Sequence, residues 1–424
     1  MRGLDKVIGY EAIKQELRRY VDILRNPEKY ARLGVAFPSG IMLFGEPGVG
    51  KTMMAKCFID ESGRKAFTLR KDKPNGDFVN EIRKTFEAAK AISGEPVIVF
   101  LDDLDKFANE DYTHCDTEEY VTVQSCIDDC KGRQIFVLAT INDIYFLPMS
   151  LRRAGRFDKE IEVGIPHGDD ASKIIEHFLQ EKHVGKDVDA EEICRLLYGE
   201  TCAELEAIVN EAGIYAAYEG KSEINQADLI KACVRRKYDT GEDLDQCDEA
   251  LVRTVAVHEA GHVVVAELLD PGSVAYASVG MRDGSIEGNT KRIRPKGCKA
   301  FKELREHGVI YKLAGKAATE MVSGFSDMGC RADIHEAFIE VRELVESVCT
   351  VGFETYNESD PSSYVLERRD RLVAFEMERY YQMAKRIIAE NRAFLDAVTD
   401  ALVDRKTLTY RELAEIKEQV VATK

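Results

Sequence analysis

Short apolar runs punctuate the first 166 residues: GIMLFG, AFTL, PVIVFLDD, QIFVLAT and KEIEVGI, beginning at Gly40, Ala66, Pro96, Gln134 and Lys159. Runs of this length without polar alternation predict strands buried on both faces of a parallel sheet. The amphipathic VNEIRKTFEAAKAI, from Val79 to Ile92, lies among them and predicts a crossover helix, which makes the block α/β. From Ala171 to about Arg236 the period is helical throughout, as in ASKIIEHFLQEKH and CAELEAIVNEAGIYAAYEG. The acidic YDTGEDLDQCDE then predicts a linker. The remainder is mostly helical, except Ser273 to Ile293, where Gly, Asn, Asp and β-branched residues predict a small strand-and-turn region. The chain is therefore multidomain α/β plus mainly α: a parallel-sheet domain over 1–166, a small helical domain over 167–238, a linker over 239–248 and a mainly helical domain over 249–424.

Composition narrows the functions available. With 76 acidic against 59 basic residues, a net charge of -17 repels phosphate backbones and argues against nucleic acid as a partner. The 11 cysteines form no CxxC pair, so reduced thiols in a cytoplasmic protein are the simpler reading. The N-terminal segment has no apolar core of a signal peptide, and no run of 18 apolar residues occurs.

After the first run, GEPGVGKT follows a strand and opens a helix, the context in which GxxxxGKT is a phosphate-binding loop. Gly45, Glu46, Pro47, Gly48, Val49 and Gly50 would form the loop around ATP phosphates, with backbone N–H groups from all of them but Pro47. Lys51 would reach the β- and γ-phosphates, and Thr52 would ligate Mg²⁺. The strand VIVFLDD ends in two carboxylates, with Asp102 suited to hold Mg²⁺ through water and Asp103 to orient the attacking water.

The apolar stretch VAVHEAGHVVVAELL carries a second chemistry. His258 and His262, at i and i+4, leave one helix face a turn apart, a spacing that suits Zn²⁺. Glu259 is placed to take a proton from water rather than to ligate. Burial of the helix holds the ligands rigidly, and metal and water satisfy the polar groups inside it.

LATINDIYFLPMSLRRAGRFD resembles the second region of homology of AAA+ ATPases. On that resemblance Asn142 is the sensor for the γ-phosphate or water, and Arg153 and Arg156 are arginine fingers completing a neighbour's site, which implies a ring. A P-loop module followed by HEAGH is similar, over nearly the whole chain, to the FtsH-type AAA+ zinc metalloproteases. That resemblance makes the 167–238 block the AAA+ lid, with GETCAELEAIVNEAGIYAA as its motif, and the last block a zinc metallopeptidase domain. It implies Asp333, after the small-residue stretch YKLAGKAATEMVSG, as third zinc ligand; without it Asp333 is an ordinary helix N-cap candidate. Glu320 is then a candidate support for a zinc histidine, and His335 is supporting or surface. The stretch SIEGNTKRI resembles the family's edge strand, on which an extended polypeptide could pair. The closing helices from Phe375 onward are expected to serve core and ring interface. The family implies a homo-hexamer that uses ATP to unfold polypeptides and zinc to cut them.

Three features depart from the family. Asp103 replaces the usual glutamate. The expected substrate-gripping loop reads TLRKDKPNGDF and offers an aromatic only at Phe78. The membrane helices usual ahead of the ATPase are missing, so membrane association is expected only through an N-terminal anchor outside this sequence. Asp103 and the altered loop motivate a second reading, a nucleotide-regulated assembly or binding protein with weak or uncoupled peptidase activity.

Overall fold

The computed structural model describes residues 2–71, 77–108, 117–153, 155–235, 247–282, 284–293, 301–325, 328–353, 356 and 361–422. It divides into two compact units, Met1–Ala190 with Gly199–Gln226, and Glu191–Tyr198 with Ala227–Lys424.

In the first unit α1 (Glu11–Arg25) and α2 (Pro27–Ala31) precede the sheet. The alternation then runs β1 (Gly40–Phe44), α3 (Lys51–Ser62), β2 (Ala66–Arg70), α4 (Phe78–Lys90), β3 (Val97–Asp102), α5 (Thr117–Asp128), β4 (Ile135–Ile141) and β5 (Lys159–Glu162). All pairings are parallel, in the order β2-β3-β4-β1-β5. The central β3 and β4 are buried at every residue, as continuous apolar runs require. The edge strands β2 and β5 correct the expectation of two buried faces: each has only one fully buried residue, Leu69 and Ile161. Phe44 pairs with Ile141 and Leu101 with Ala139, so the carboxyl ends of β1, β3 and β4 finish side by side. Ligands of open parallel sheets bind at such an end.

The helical stretch after the sheet contains α6 (Asp169–Gln180), α7 (Ala190–Leu196), α8 (Cys202–Tyr218) and α9 (Gln226–Arg235). Thr201 and Glu204 close a reciprocal capping box at the start of α8. The first unit takes α6 and α8; apart from their first residues, α7 and α9 belong to the second.

The second unit is built around α10 (Glu249–Leu269). Asp248 caps it, accepting from the Ala250 N–H at 3.0 Å, so the expected linker ends in a helix cap; positions 239–246 of that linker lie outside the described residues. From Val255 to Ala266 every residue of α10 is buried, and a helix buried all round must have neighbours on all sides. Those neighbours include β6 (Val274–Arg282), β7 (Ser285–Arg292), α11 (Phe301–Ser323), α13 (Ser363–Glu390) and α14 (Arg392–Arg405). Against α11 and α13 packs α12 (Arg331–Glu346), and β8 (Thr407–Thr409) and α15 (Tyr410–Ala422) complete the unit. The sheet order is β7-β6-β8, antiparallel, which leaves β7 at an edge, where SIEGNTKRI was expected.

Candidate functional site

In the first unit, the loop after β1 turns into α3 at Gly50, whose φ of 96° is a left-handed value that other residues rarely adopt. Lys51 is buried and donates from Nζ to the carbonyls of Gly45 and Glu46, at 2.7 and 2.8 Å. Burial holds its ammonium below the ordinary value, and Asp105, Asp103 and Asp102 offset this only in part. Thr52 donates to Asp102 Oδ1 at 2.8 Å, and Thr140 at the end of β4 donates to the same oxygen at 2.8 Å. The structure thus brings loop, magnesium-ligand candidates and β-strand ends together, a donor set that fits a phosphate–magnesium group.

Asp103 is held differently. It has a left-handed backbone at φ 55° and ψ 53°, and its N–H donates to Thr140 Oγ1 at 2.9 Å. Its carboxylate pairs with Lys106 at 2.7 Å, with Arg70 at 3.9 Å. Asn142 donates from Nδ2 to Asp105 Oδ2 at 3.2 Å. Asp105 is a residue that sequence reasoning missed: burial pushes its carboxyl up, it accepts from the expected sensor, and its charge acts on the loop lysine.

The two expected arginine fingers diverge. Arg156 is tied within its own chain, with Nε and Nη2 on the Asp128 carboxylate at 3.1 and 2.6 Å and a further bond to the Ser150 carbonyl. Arg153 is exposed. Phe78 is also displaced from its suggested role. It is buried at the start of α4, edge-on to Phe107 with centroids 5.0 Å apart, and so is a core residue rather than a gripping one. Positions 72–76 of the expected gripping loop lie outside the described residues.

In the second unit, His258, His262 and Asp333 meet across α10 and α12. The two Nε2 atoms are 3.0 Å apart, and Asp333 Oδ2 lies 3.1 Å from His258 Nε2 and 3.3 Å from His262 Nε2. A tetrahedral ion with bonds near 2.1 Å sets its ligand atoms roughly 3.4 Å apart, so this triangle has the size of one face of a zinc site. The tautomer supports the same occupant. His262 Nδ1 is 2.8 Å from the Tyr311 carbonyl, which can only accept, so Nδ1 carries the proton and Nε2 of the neutral ring is bare. The bare His262 Nε2 and the Asp333 carboxylate converge on His258 Nε2, and three such donors at this spacing suit a cation. Burial pushes the His262 imidazolium down, yet Asp333 and Glu259 outweigh it and hold it above its ordinary value. Burial likewise pushes the Asp333 carboxyl up, and the two imidazoles overcome this to hold it far below the carboxylate range.

Glu259 is buried beside this triangle, its Oε2 accepting from Thr290 Oγ1 of β7 at 2.7 Å. A cleft of about 510 Å³ exposes His258, Glu259, His262 and Asp333 along the edge of β7. Two glycines make room. A Cβ on Gly315 of α11 would come 2.4 Å from His258 Nε2, and one on Gly288 of β7 would come 2.3 Å from Glu259 Oε1. With Tyr311 and Thr290 they form a supporting set that sequence reasoning did not single out, though GKAAT was visible as a small-residue stretch. Glu320, the candidate support, binds Lys316, Tyr381 and Lys385. His335 is exposed, and Asp333 is the third residue of α12 rather than its cap.

A family profile, the ATPase family associated with various cellular activities, matches residues 41–165. The whole chain is similar to curated proteins named ATP-dependent zinc metalloprotease FtsH. The one from Caldicellulosiruptor bescii is 28% identical, over 97% of this chain and 71% of its own length. FtsH 2 of Thermoanaerobacter sp. is 26% identical, with 97% and 82% covered. That of Leptotrichia buccalis is 30% identical, with 97% and 56% covered. No helix among the described residues is long and apolar enough to cross a membrane.

Proposed function

We propose that this chain, which belongs to the FtsH-type AAA+ zinc metalloproteases, is an ATP-dependent zinc endopeptidase that unfolds polypeptides and cuts them within a homo-hexamer. The observation that carries the reading is the triangle of ligand atoms from His258, His262 and Asp333, with Glu259 beside it in a cleft along the edge strand β7.

His258, His262 and Asp333 hold the metal. Zinc bound there supplies a Lewis acid that makes water more acidic and a peptide carbonyl more electrophilic. Glu259 takes the proton of the attacking water and returns it to the leaving amine. The outer edge of β7 holds the peptide as an added strand, so affinity comes from main-chain hydrogen bonds that every sequence offers.

In the ATPase, Lys51 and backbone N–H groups of the loop 45–50, in which Pro47 offers none, cradle the phosphates, and Thr52 and Asp102 would hold magnesium. Asn142, steadied by Asp105, and Asp103 orient the attacking water, while Arg153 balances phosphoryl charge on the neighbouring subunit. The exposure of Arg153 supports that role, as do Tyr145 and Met149 on the same segment, 87% and 68% exposed. Free thiols at Cys57, Cys126 and Cys130 and the acidic surface support a cytoplasmic setting for these domains.

Chelation tests the peptidase assignment. A strong zinc chelator is expected to abolish cleavage of an unfolded model protein, and one equivalent of zinc per chain to restore it. Full cleavage by demonstrably metal-free protein overturns the reading.

A further inference from the structure

Glu259 needs a fixed orientation to act as a base, because a displacement of about 1 Å can cost roughly 100-fold in rate. Its neighbours on α10 cannot provide this, since the carboxylate leaves the helix toward β7. On that strand Thr290 Oγ1 donates to Glu259 Oε2 at 2.7 Å and lies 3.3 Å from the Glu259 carbonyl. Thr290 is itself held from the far side. The Tyr311 hydroxyl donates to the Thr290 carbonyl at 2.8 Å, and the Tyr311 carbonyl faces His262 Nδ1 at 2.8 Å. One strand residue therefore joins the base to the segment that fixes a metal ligand.

The same contacts bear on substrate register. In a strand the N–H and C=O of one residue leave on the same side, and alternate residues share that side. Asn289 faces β6, with its carbonyl 3.4 Å from Ser278 Oγ, while Thr290 turns its carbonyl to Tyr311. Gly288, two residues back, thus offers its N–H and C=O to the open edge. Glu259 Oε1 lies 2.3 Å from where a Gly288 Cβ would stand. A peptide paired at Gly288 would lie next to the carboxylate that Thr290 holds.

We propose that Thr290 is the positioning residue of Glu259, its hydroxyl aiming the carboxylate at the peptide that pairs with β7. This rests on the reading of Glu259 as general base. The test compares Thr290→Val, which keeps the branched shape and removes the donor, with Thr290→Ser, which keeps the donor, in the full zinc-loaded chain. With ATP and an unfolded model protein, Thr290→Val is expected to lower kcat roughly 10- to 100-fold. KM should stay within about twofold, and zinc affinity, measured by competition with a chromogenic chelator, should be unchanged. Thr290→Ser should keep kcat within about threefold of wild type, since only the donor matters in this account. An unchanged kcat in Thr290→Val, equal damage in both variants, or weakened zinc binding in Thr290→Val overturns the proposal. A wild-type chain that binds zinc but cuts nothing overturns the underlying reading instead, and the proposal with it.

Discussion

Glu259→Gln is expected to abolish polypeptide cleavage while leaving the metal centre in place. Loss of a positioned general base costs roughly 10²- to 10⁴-fold. Gln keeps the length of the side chain and can still accept the Thr290 hydroxyl bond, which spans 2.7 Å, so the packing against Gly288 is preserved. The three ligand atoms belong to other residues, so zinc content should match that of wild type. ATP turnover should persist, because residue 259 lies outside the unit that carries the phosphate loop. The check is a single preparation assayed for zinc by atomic absorption, for phosphate release and for appearance of soluble peptides. Retained cleavage would remove Glu259 from the mechanism; lost zinc would make it structural.

Arg153→Ala and Arg156→Ala are expected to fail in different ways, although sequence treats them alike. Arg153 is exposed, and its loss should lower ATP turnover by about 10³-fold, the scale of a missing arginine finger, with little change in Tm. Arg156 is bound bidentately to Asp128 and caps the Ser150 carbonyl, so Arg156→Ala leaves Asp128 with Lys131 and loosens the segment that carries Arg153. Its first effect should be a lower Tm. The pairing also has an acid signature. Arg156, with Lys131, holds the Asp128 carboxyl down to about 2, below its ordinary 3.8. A carboxylate whose folded pKa is depressed contributes stability that is present above the unfolded value and lost as pH falls through the folded one. Wild type should therefore lose this increment between about pH 4 and pH 2, and Arg156→Ala should keep only the smaller part that Lys131 supplies. Equal Tm with equal loss of turnover in the two variants would contradict the division of roles.

What sequence disclosed and what it hid follow from the range of the interactions. The strands of the parallel sheet are visible as apolar runs because β3 and β4 are buried on both faces, and HEAGH is visible because one helical turn sets its geometry. β8 escaped notice because Thr407–Thr409 is too short to show a period between two helices, and it exists through its pairing with β6. Gly315 and Gly288 look like ordinary glycines until folding brings them within reach of His258 and Glu259. Thr290 and Tyr311 act through partners 31 and 49 residues away, a distance no local pattern spans. Local spacing likewise cannot reveal that Arg156 pairs with Asp128 or that Phe78 packs in the core against Phe107.

The carboxylate of Asp103, shorter than the family's glutamate and paired with Lys106, makes ATP coupling the step on which the account depends most. The direct measurement is degradation of a folded model protein by the zinc-loaded chain with ATP, with a non-hydrolysable analogue and with no nucleotide. Cleavage is expected with ATP and in neither other condition. Equal cleavage in all three conditions would contradict it, and would leave a peptidase working apart from its ATPase.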